Sequence, residues 1–296
     1  FEAQTRVKLA NGSTSIIATL NVVRSDFVAI DQAGLSEAAW RSLGVQDGDF
    51  LAVSHPEPLE SFSSVRGKIY GRAMSEADFG ALINDVVLGR LSNIELAAFV
   101  TACAGDRLSL AETVSLTRAM VAAGERLAWE NPTIVDKHCV GGLPGNRTTP
   151  IVVAIVCAAG LTMPKTSSRA ITSPAGTADA METLAPVDLD LAAMRRVVER
   201  EGGCVVWGGA MGLSPADDVL IRVERPLDFD SGGQLAASVL SKKIAAGSTH
   251  VVIDVPVGPT AKVRTLLDAE QLSARLKDVG AAFGLAVQTI HTDGLQ

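Results

Sequence analysis

From residue 131 onward, short apolar runs alternate with segments of helical period, and glycine-rich turns separate them. A chain that alternates in this way has few means of burying both kinds of element. The usual one is a mostly parallel sheet covered by helices, an α/β fold. The pattern predicts strands at Thr133–Asp136, Leu161–Met163, Cys204–Trp207, Val251–Val255 and Leu285–Ile290. It predicts helices at Thr148–Ala159, Thr177–Leu184, Leu191–Glu201, Gln234–Ala246 and Thr260–Val279, with Ser214-Pro215 opening a further one.

The first 130 residues read differently. Residues 1–60 hold short β-type stretches at Arg6–Leu9, Ser15–Val23, Phe27–Ile30 and Phe50–Val53, divided by Asn11-Gly12, Gly34 and Asp47-Gly48-Asp49. A Pro- and Ser-containing stretch, His55 to Ser64, reads as a linker. Beyond it, Phe79, Leu82, Ile83, Val86 and Val87 follow helical spacing up to Gly89. Ser92-x-x-Glu95 and Ser109-x-x-Glu112 match the capping box. The expected organisation is therefore a β-rich domain at 1–60, a discontinuous helical domain at 65–128 and 214–246, and an α/β domain at 129–213 and 247–296.

Composition removes several function classes. A net charge of −7 opposes broad nucleic-acid binding, which needs a basic surface to replace counterions. No apolar run approaches the ~20 residues of a membrane span, and the start carries no secretory pattern. Cys103, Cys139, Cys157 and Cys204 have neither zinc-site nor disulfide spacing, so reduced thiols and a cytoplasmic location are expected, with no metal and no cofactor.

One stretch contradicts the acidic whole. Between Lys137 and Ala178 stand Lys137, Arg147, Lys165 and Arg169, with no Asp or Glu in 42 residues. Gly141, Gly142, Gly145, Gly160 and Gly176 lie in it, as do the hydroxyls of Thr148, Thr149, Thr166, Ser167, Ser168, Thr172, Ser173 and Thr177. Glycines let backbone N–H groups converge on an oxyanion, while hydroxyls and lysines add donors. The order is neither a Walker A loop nor a dinucleotide fingerprint.

Four motifs in sequence carry a family resemblance. They are Asp136-Lys137-His138-Cys139-Val140-Gly141-Gly142, Pro144-Gly145-Asn146-Arg147-Thr148-Thr149, the run Lys165 to Thr177, and Ser238-Val239-Leu240-Ser241-Lys242-Lys243. Over roughly residues 65 to 296 the chain resembles the thymidine phosphorylase/AMP phosphorylase family, and the N-terminal segment resembles its AMP phosphorylase branch and bacterial relatives. The resemblance implies a pentosyltransferase that splits an N-glycosidic bond with inorganic phosphate, acting on a nucleoside or nucleoside 5′-monophosphate, as a homodimer or higher homo-oligomer. It assigns phosphate to Lys137, Thr148 or Thr149, Ser167 and Thr177. It places Gly142, Ser168, Arg169, Ala170, Ile171, Thr172 and Ser173 around the nucleotide, with Ser238, Lys242 and Lys262 on its base or sugar side. Asp230 takes the position of a proton donor, and His138 that of a contact to a pyrimidine carbonyl.

Two positions depart from the family pattern. Cys139 stands where the family has Ser, a weaker donor. Val223, flanked by Arg222 and Arg225, replaces an arginine of the pyrimidine branch. The chain also stops at Gln296, inside what the resemblance implies is the α/β domain, so it is expected to lack the C-terminal part. Other readings stay open: a hydrogen-bonded scaffold role for His138, a solvated helix face for Lys242-Lys243, turn or cap roles for Asp228 and Asp230, and hinges at Gly208-Gly209 and Gly247. A phosphoribosyltransferase or a non-catalytic phosphate-binding module are the competing functions. Lys262 is expected near the start of a helix, where a cation is disfavoured.

Overall fold

The computed structural model describes residues 5–141, 148–169, 176–227 and 231–295. In the N-terminal part, β1 (Arg6–Asn11) turns through Gly12-Ser13 into the antiparallel β2 (Thr14–Thr19), and β3 (Ala52–Ser54) pairs with the other edge of β1. Helix α1 (Glu37–Leu43) closes the small core of Val7, Leu9, Leu43 and Val45. The expected strand at Phe27–Ile30 is absent. Both edges of β1 are already paired, and Phe27 and Ile30 are exposed.

Four helices follow: α2 (Glu60–Ile69), α3 (Glu76–Val87), α4 (Asn93–Ala102) and α5 (Leu110–Ala122). Helix α2 takes in half of the stretch expected as a linker. Its serines are compatible with the helix because α3 carboxylates accept from them, Asp85 from Ser61 at 2.7 Å and Asp78 from Ser64 at 2.6 Å. Reciprocal capping boxes start α3, α4 and α5, pairing Ser75 with Asp78, Ser92 with Glu95 and Ser109 with Glu112. Glu112 also accepts from the buried Lys68 at 2.5 Å and from the Met74 N–H at 3.0 Å. Burial alone would raise the Glu112 carboxyl, but these hydrogen bonds outweigh it and hold it below its usual range.

The remaining elements are β4 (Val135–Cys139), α6 (Thr148–Ala158), β5 (Met163–Ser167), α7 (Thr177–Glu182), α8 (Leu191–Glu201), β6 (Gly203–Trp207), α9 (Pro215–Leu227), α10 (Gly232–Ala245), β7 (His250–Val257), α11 (Leu266–Ala281) and β8 (Ala286–Asp293). All the pairings among these strands are parallel, β5 with β6 and β4 with β7 and β7 with β8. A parallel bridge from Ile134 to Thr162 joins the two groups, giving the spatial order β6-β5-β4-β7-β8. The chain first winds from β4 out to β6, then returns to the other side of β4. Strand order therefore reverses between β4 and β7, the switch point where open α/β sheets bind ligands.

The strands extend further toward their C-terminal ends than the apolar pattern indicates. The expected Thr133–Asp136 continues through Lys137 and His138 to Cys139, and Leu161–Met163 is replaced by Met163–Ser167. These polar residues stay in strands because Asp136, Lys137 and Lys165 are buried together rather than solvated. The expected helix from Thr260 begins only at Leu266, where the Thr265 hydroxyl caps it by accepting from the Asp268 N–H at 3.1 Å. Lys262 therefore lies in the turn before α11.

Helix α10 belongs to two cores. Its Ala237 packs with α3, α4, α5 and α9, whereas Ala236, Val239, Leu240 and Ile244 pack with β7, α11 and β8. Beside it, residues 124–129 run between the helical and sheet regions, pinned by Glu125 N to Gly212 O at 3.0 Å and Leu127 N to Ala245 O at 2.8 Å. Gly124 is packed so tightly here that a Cβ would lie 2.4 Å from the Leu213 carbonyl oxygen. Among the described residues, no helix is long and apolar enough to cross a membrane. Gly124→Ala is expected to lower stability by about 2 kcal/mol, since a methyl group must displace backbone. A denaturant titration would register this as a lower midpoint at unchanged slope.

Candidate functional site

The C-terminal ends of β4, β5 and β6 open into a cleft of about 390 Å³. One wall is formed by β4 and β5 residues with Thr149 and Thr177. The opposite wall is formed by α9 and α10, and the turn after β7 closes one end through Thr260 and Lys262. The Lys262 N–H donates to the Gly141 carbonyl at 3.4 Å, which ties that turn to the end of β4.

Lys137, Ser167 and Thr177 line the same wall. The Lys137 ammonium lies 3.5 Å from the Thr149 hydroxyl at the start of α6. Thr149 is buried, whereas Thr148, one residue earlier on the helix, is exposed and does not line the cleft. Ser168 and Arg169 are at the cleft edge; Ser238, Lys242 and Lys262 line it from the far side and end. Gly142, Ala170, Ile171, Thr172, Ser173 and Asp230 lie outside the described residues, as do Arg147 and Asp228.

The acid-free stretch is not left without acids once folded. Lys165 and Lys243 converge on the buried Asp136 carboxylate. Lys165 Nζ is 3.5 Å from Oδ1, and Lys243 Nζ is 2.9 Å from Oδ2. The Lys243 contact is ionic in distance but misaligned for a hydrogen bond, so Oδ2 has no hydrogen-bond donor among the described residues. Oδ1 accepts the Lys137 backbone N–H at 2.6 Å. Arg169 is engaged by Asp179 at 3.2 Å, Glu182 at 2.7 Å and Asp188 at 3.5 Å, and its guanidinium stacks 4.7 Å above the Trp207 ring. Much of its charge is thus met within the protein, which leaves the lysines as the cations of the cleft floor.

The far wall carries acid. Asp217 is buried and accepts from Lys242 Nζ at 2.5 Å. This rules out the reading of Lys242-Lys243 as a solvated helix face: Lys243 is buried and Lys242 is committed to Asp217. The Asp218 carboxyl is raised above its usual range, first by partial desolvation in the cleft and then by the Asp217 charge, although the residue keeps an open surface. Of the two arginines flanking the buried Val223, Arg225 lines the cleft. These acids and Arg225 lacked a sequence signal that marks them for the site; only the α9 helical phase turns them inward.

His138 sits half-buried among Lys243, Lys165, Lys242 and Lys137. Desolvation first, and then these four cations, push its pKa well below the usual value, so the ring is neutral at pH 7. The Cys139 thiol, beside Asp254, is raised by desolvation and by that charge and stays protonated. It can offer only a weak S–H donor.

With this geometry in view, comparison with known proteins identifies the family. Residues 131–279 match the a/b domain of the glycosyl transferase family, and residues 64–124 match its helical bundle domain. The chain belongs to this glycosyl transferase family. It is 68% identical over 295 residues to a protein of Polaromonas sp. strain JS666 named "Putative thymidine phosphorylase", covering 100% of this chain and 58% of that one. A protein of the same name from Legionella pneumophila strain Paris is 60% identical over 296 residues, covering 100% and 57%. The chain thus spans little more than half the length of these relatives. Among solved structures, anthranilate phosphoribosyltransferase from Thermus thermophilus superposes with a TM-score of 0.61 at 21% identity, over 78% of this chain and 66% of that one. That likeness concerns the fold alone.

Asp136→Asn would remove the countercharge of two buried ammoniums. The expected loss is about 3 kcal/mol at neutral pH, read from chemical denaturation. In ¹⁵N spectra, the His138 ring should keep its neutral signature from pH 8 down to pH 6, which follows from the lowered pKa. A ring that protonates near 6.5 would contradict the lysine surroundings described above.

Proposed function

We propose that this site is the phosphate-binding half of a nucleoside or nucleotide phosphorylase. The observation that carries the reading is the convergence of Lys137, Ser167 and Thr177 on one wall, beside buried lysines, at the switch point of a parallel sheet. An oxyanion held there would be positioned to attack the C1′ carbon of a pentoside lying across the cleft. The sugar ring gains positive charge as the base departs, so the reaction depends mainly on orientation and electrostatics. Thr149, with its backbone at the first turn of α6, adds the favourable field of a helix N-terminus.

Ser238 and Lys242 would contact the base or sugar from α10, and Lys262 from the turn after β7. Lys242 can do so only while also serving Asp217, so its ammonium would hold both carboxylate and substrate in place. His138, being neutral, can donate one hydrogen bond to a base carbonyl without adding charge. Asp230 remains the proposed proton donor to the leaving base by family resemblance. The names of the relatives favour thymidine as a substrate, while the sequence resemblance to the AMP phosphorylase branch favours AMP.

The test is release of free base from thymidine, uridine, AMP and CMP by the full-length protein, with and without inorganic phosphate. Phosphate-dependent release supports phosphorolysis; equal release without phosphate would make the protein a hydrolase. Thr177→Val should raise the KM for phosphate about tenfold, the loss of one hydrogen bond to a charged group. Asp230→Asn should slow turnover on AMP, and an unchanged rate would remove Asp230 from the mechanism.

A further inference from the structure

The cleft floor holds more buried positive charge than the described residues neutralise. Lys137, Lys165 and Lys243 are exposed by 8%, 3% and 2%. Among the described residues, Asp136 is the carboxylate within ion-pair distance of Lys165 and Lys243. Lys242 adds nothing to this excess, because Asp217 matches it. The next carboxylate along the sheet, Asp254, lies beside Cys139 and accepts from the Thr292 hydroxyl at 2.5 Å. Three ammoniums set against one carboxylate leave two charges in excess, in a place where unpaired charge is costly.

Such a cluster can relieve itself by losing a proton or by gaining an anion. Lys165 is the member placed to lose one. Burial lowers its ammonium to about 7; Asp136 opposes this, and Lys243 and Lys137 add to it. The other groups in its surroundings are already neutral: His138 on β4 and the Cys204 thiol on β6, whose pKa is raised.

We propose that Lys165 is the proton-coupled anion residue of this cleft: a doubly charged oxyanion binds together with one proton, which the Lys165 amine takes from solvent. The proposal rests on the phosphate reading above and adds the residue that matches the charge of the ion. Two ionic charges then meet the two excess ammoniums when Lys165 is protonated, but only one when it is not. Above about pH 7, binding must therefore draw in a proton, and affinity must fall as pH rises, approaching tenfold per pH unit.

Sulfate is the suitable probe because it stays dianionic across this range and carries no proton of its own. Titration calorimetry of the chain with sulfate near pH 8, in two buffers of different ionisation heat, measures the uptake directly. The expected result is an uptake approaching one proton per sulfate, with affinity falling between about pH 7 and pH 9. Lys165→Met should abolish the uptake and flatten the pH dependence. Lys165→Arg, which stays charged, should bind sulfate without uptake and keeps the test decisive if the Met variant does not fold. Sulfate binding by the wild-type chain without proton uptake would overturn the proposal and leave the phosphate site standing. Uptake that survives Lys165→Arg but disappears in His138→Asn would overturn it by assigning the proton to His138. If neither sulfate nor phosphate binds, the phosphate reading itself fails.

Discussion

The structure of the cleft depends on one buried carboxylate. Asp136 sits on β4 between the ammoniums of Lys165 on β5 and Lys243 on α10. It joins the two groups of strands to the helix that both cores share. An ion pair of this kind is seldom worth more than a hydrophobic replacement of the same volume, because desolvating three charges consumes most of the attraction. Its value here lies in placement: it holds one lysine of β5 and one of α10 against β4, beside the crevice that an open α/β sheet presents.

The far wall follows the same logic on a smaller scale. Asp217 and Lys242 neutralise each other across α9 and α10, and this keeps that wall of the cleft nearly balanced while the β4 and β5 wall stays positive. The two walls meet along residues 124–129, 212–213 and 245–247, where backbone hydrogen bonds and glycine packing leave little slack. Gly247 adopts φ 77° there, and a Cβ would lie 2.7 Å from the Leu127 carbonyl oxygen.

Much of this was legible beforehand. Capping boxes at Ser92 and Ser109 are local hydrogen-bond patterns and need no tertiary information. The helix at Leu191–Glu201 was readable from its 3.6-residue period, and the parallel sheet from alternation. What misled was polarity. Lys137, His138, Lys165 and Thr166 interrupt the apolar runs, so the strands read as ending before the residues that line the cleft. At Phe27–Ile30 the difference runs the other way: an apolar stretch suggests a strand, but Phe27 and Ile30 stay exposed and join none of the three paired strands.

The sequence by itself determined the order of elements from residue 131 onward, the family, and the concentration of glycines, hydroxyls and lysines in one stretch, because each of these is written in neighbouring residues. Only the tertiary structure decided which charges remain available. Arg169 is spent on Asp179, Glu182 and Asp188, while Lys165 and Lys243 compete for Asp136, a partner far from Lys243 in the chain. Electrostatic energy depends on distance and burial in space, and neither is fixed until the strands and α10 have packed.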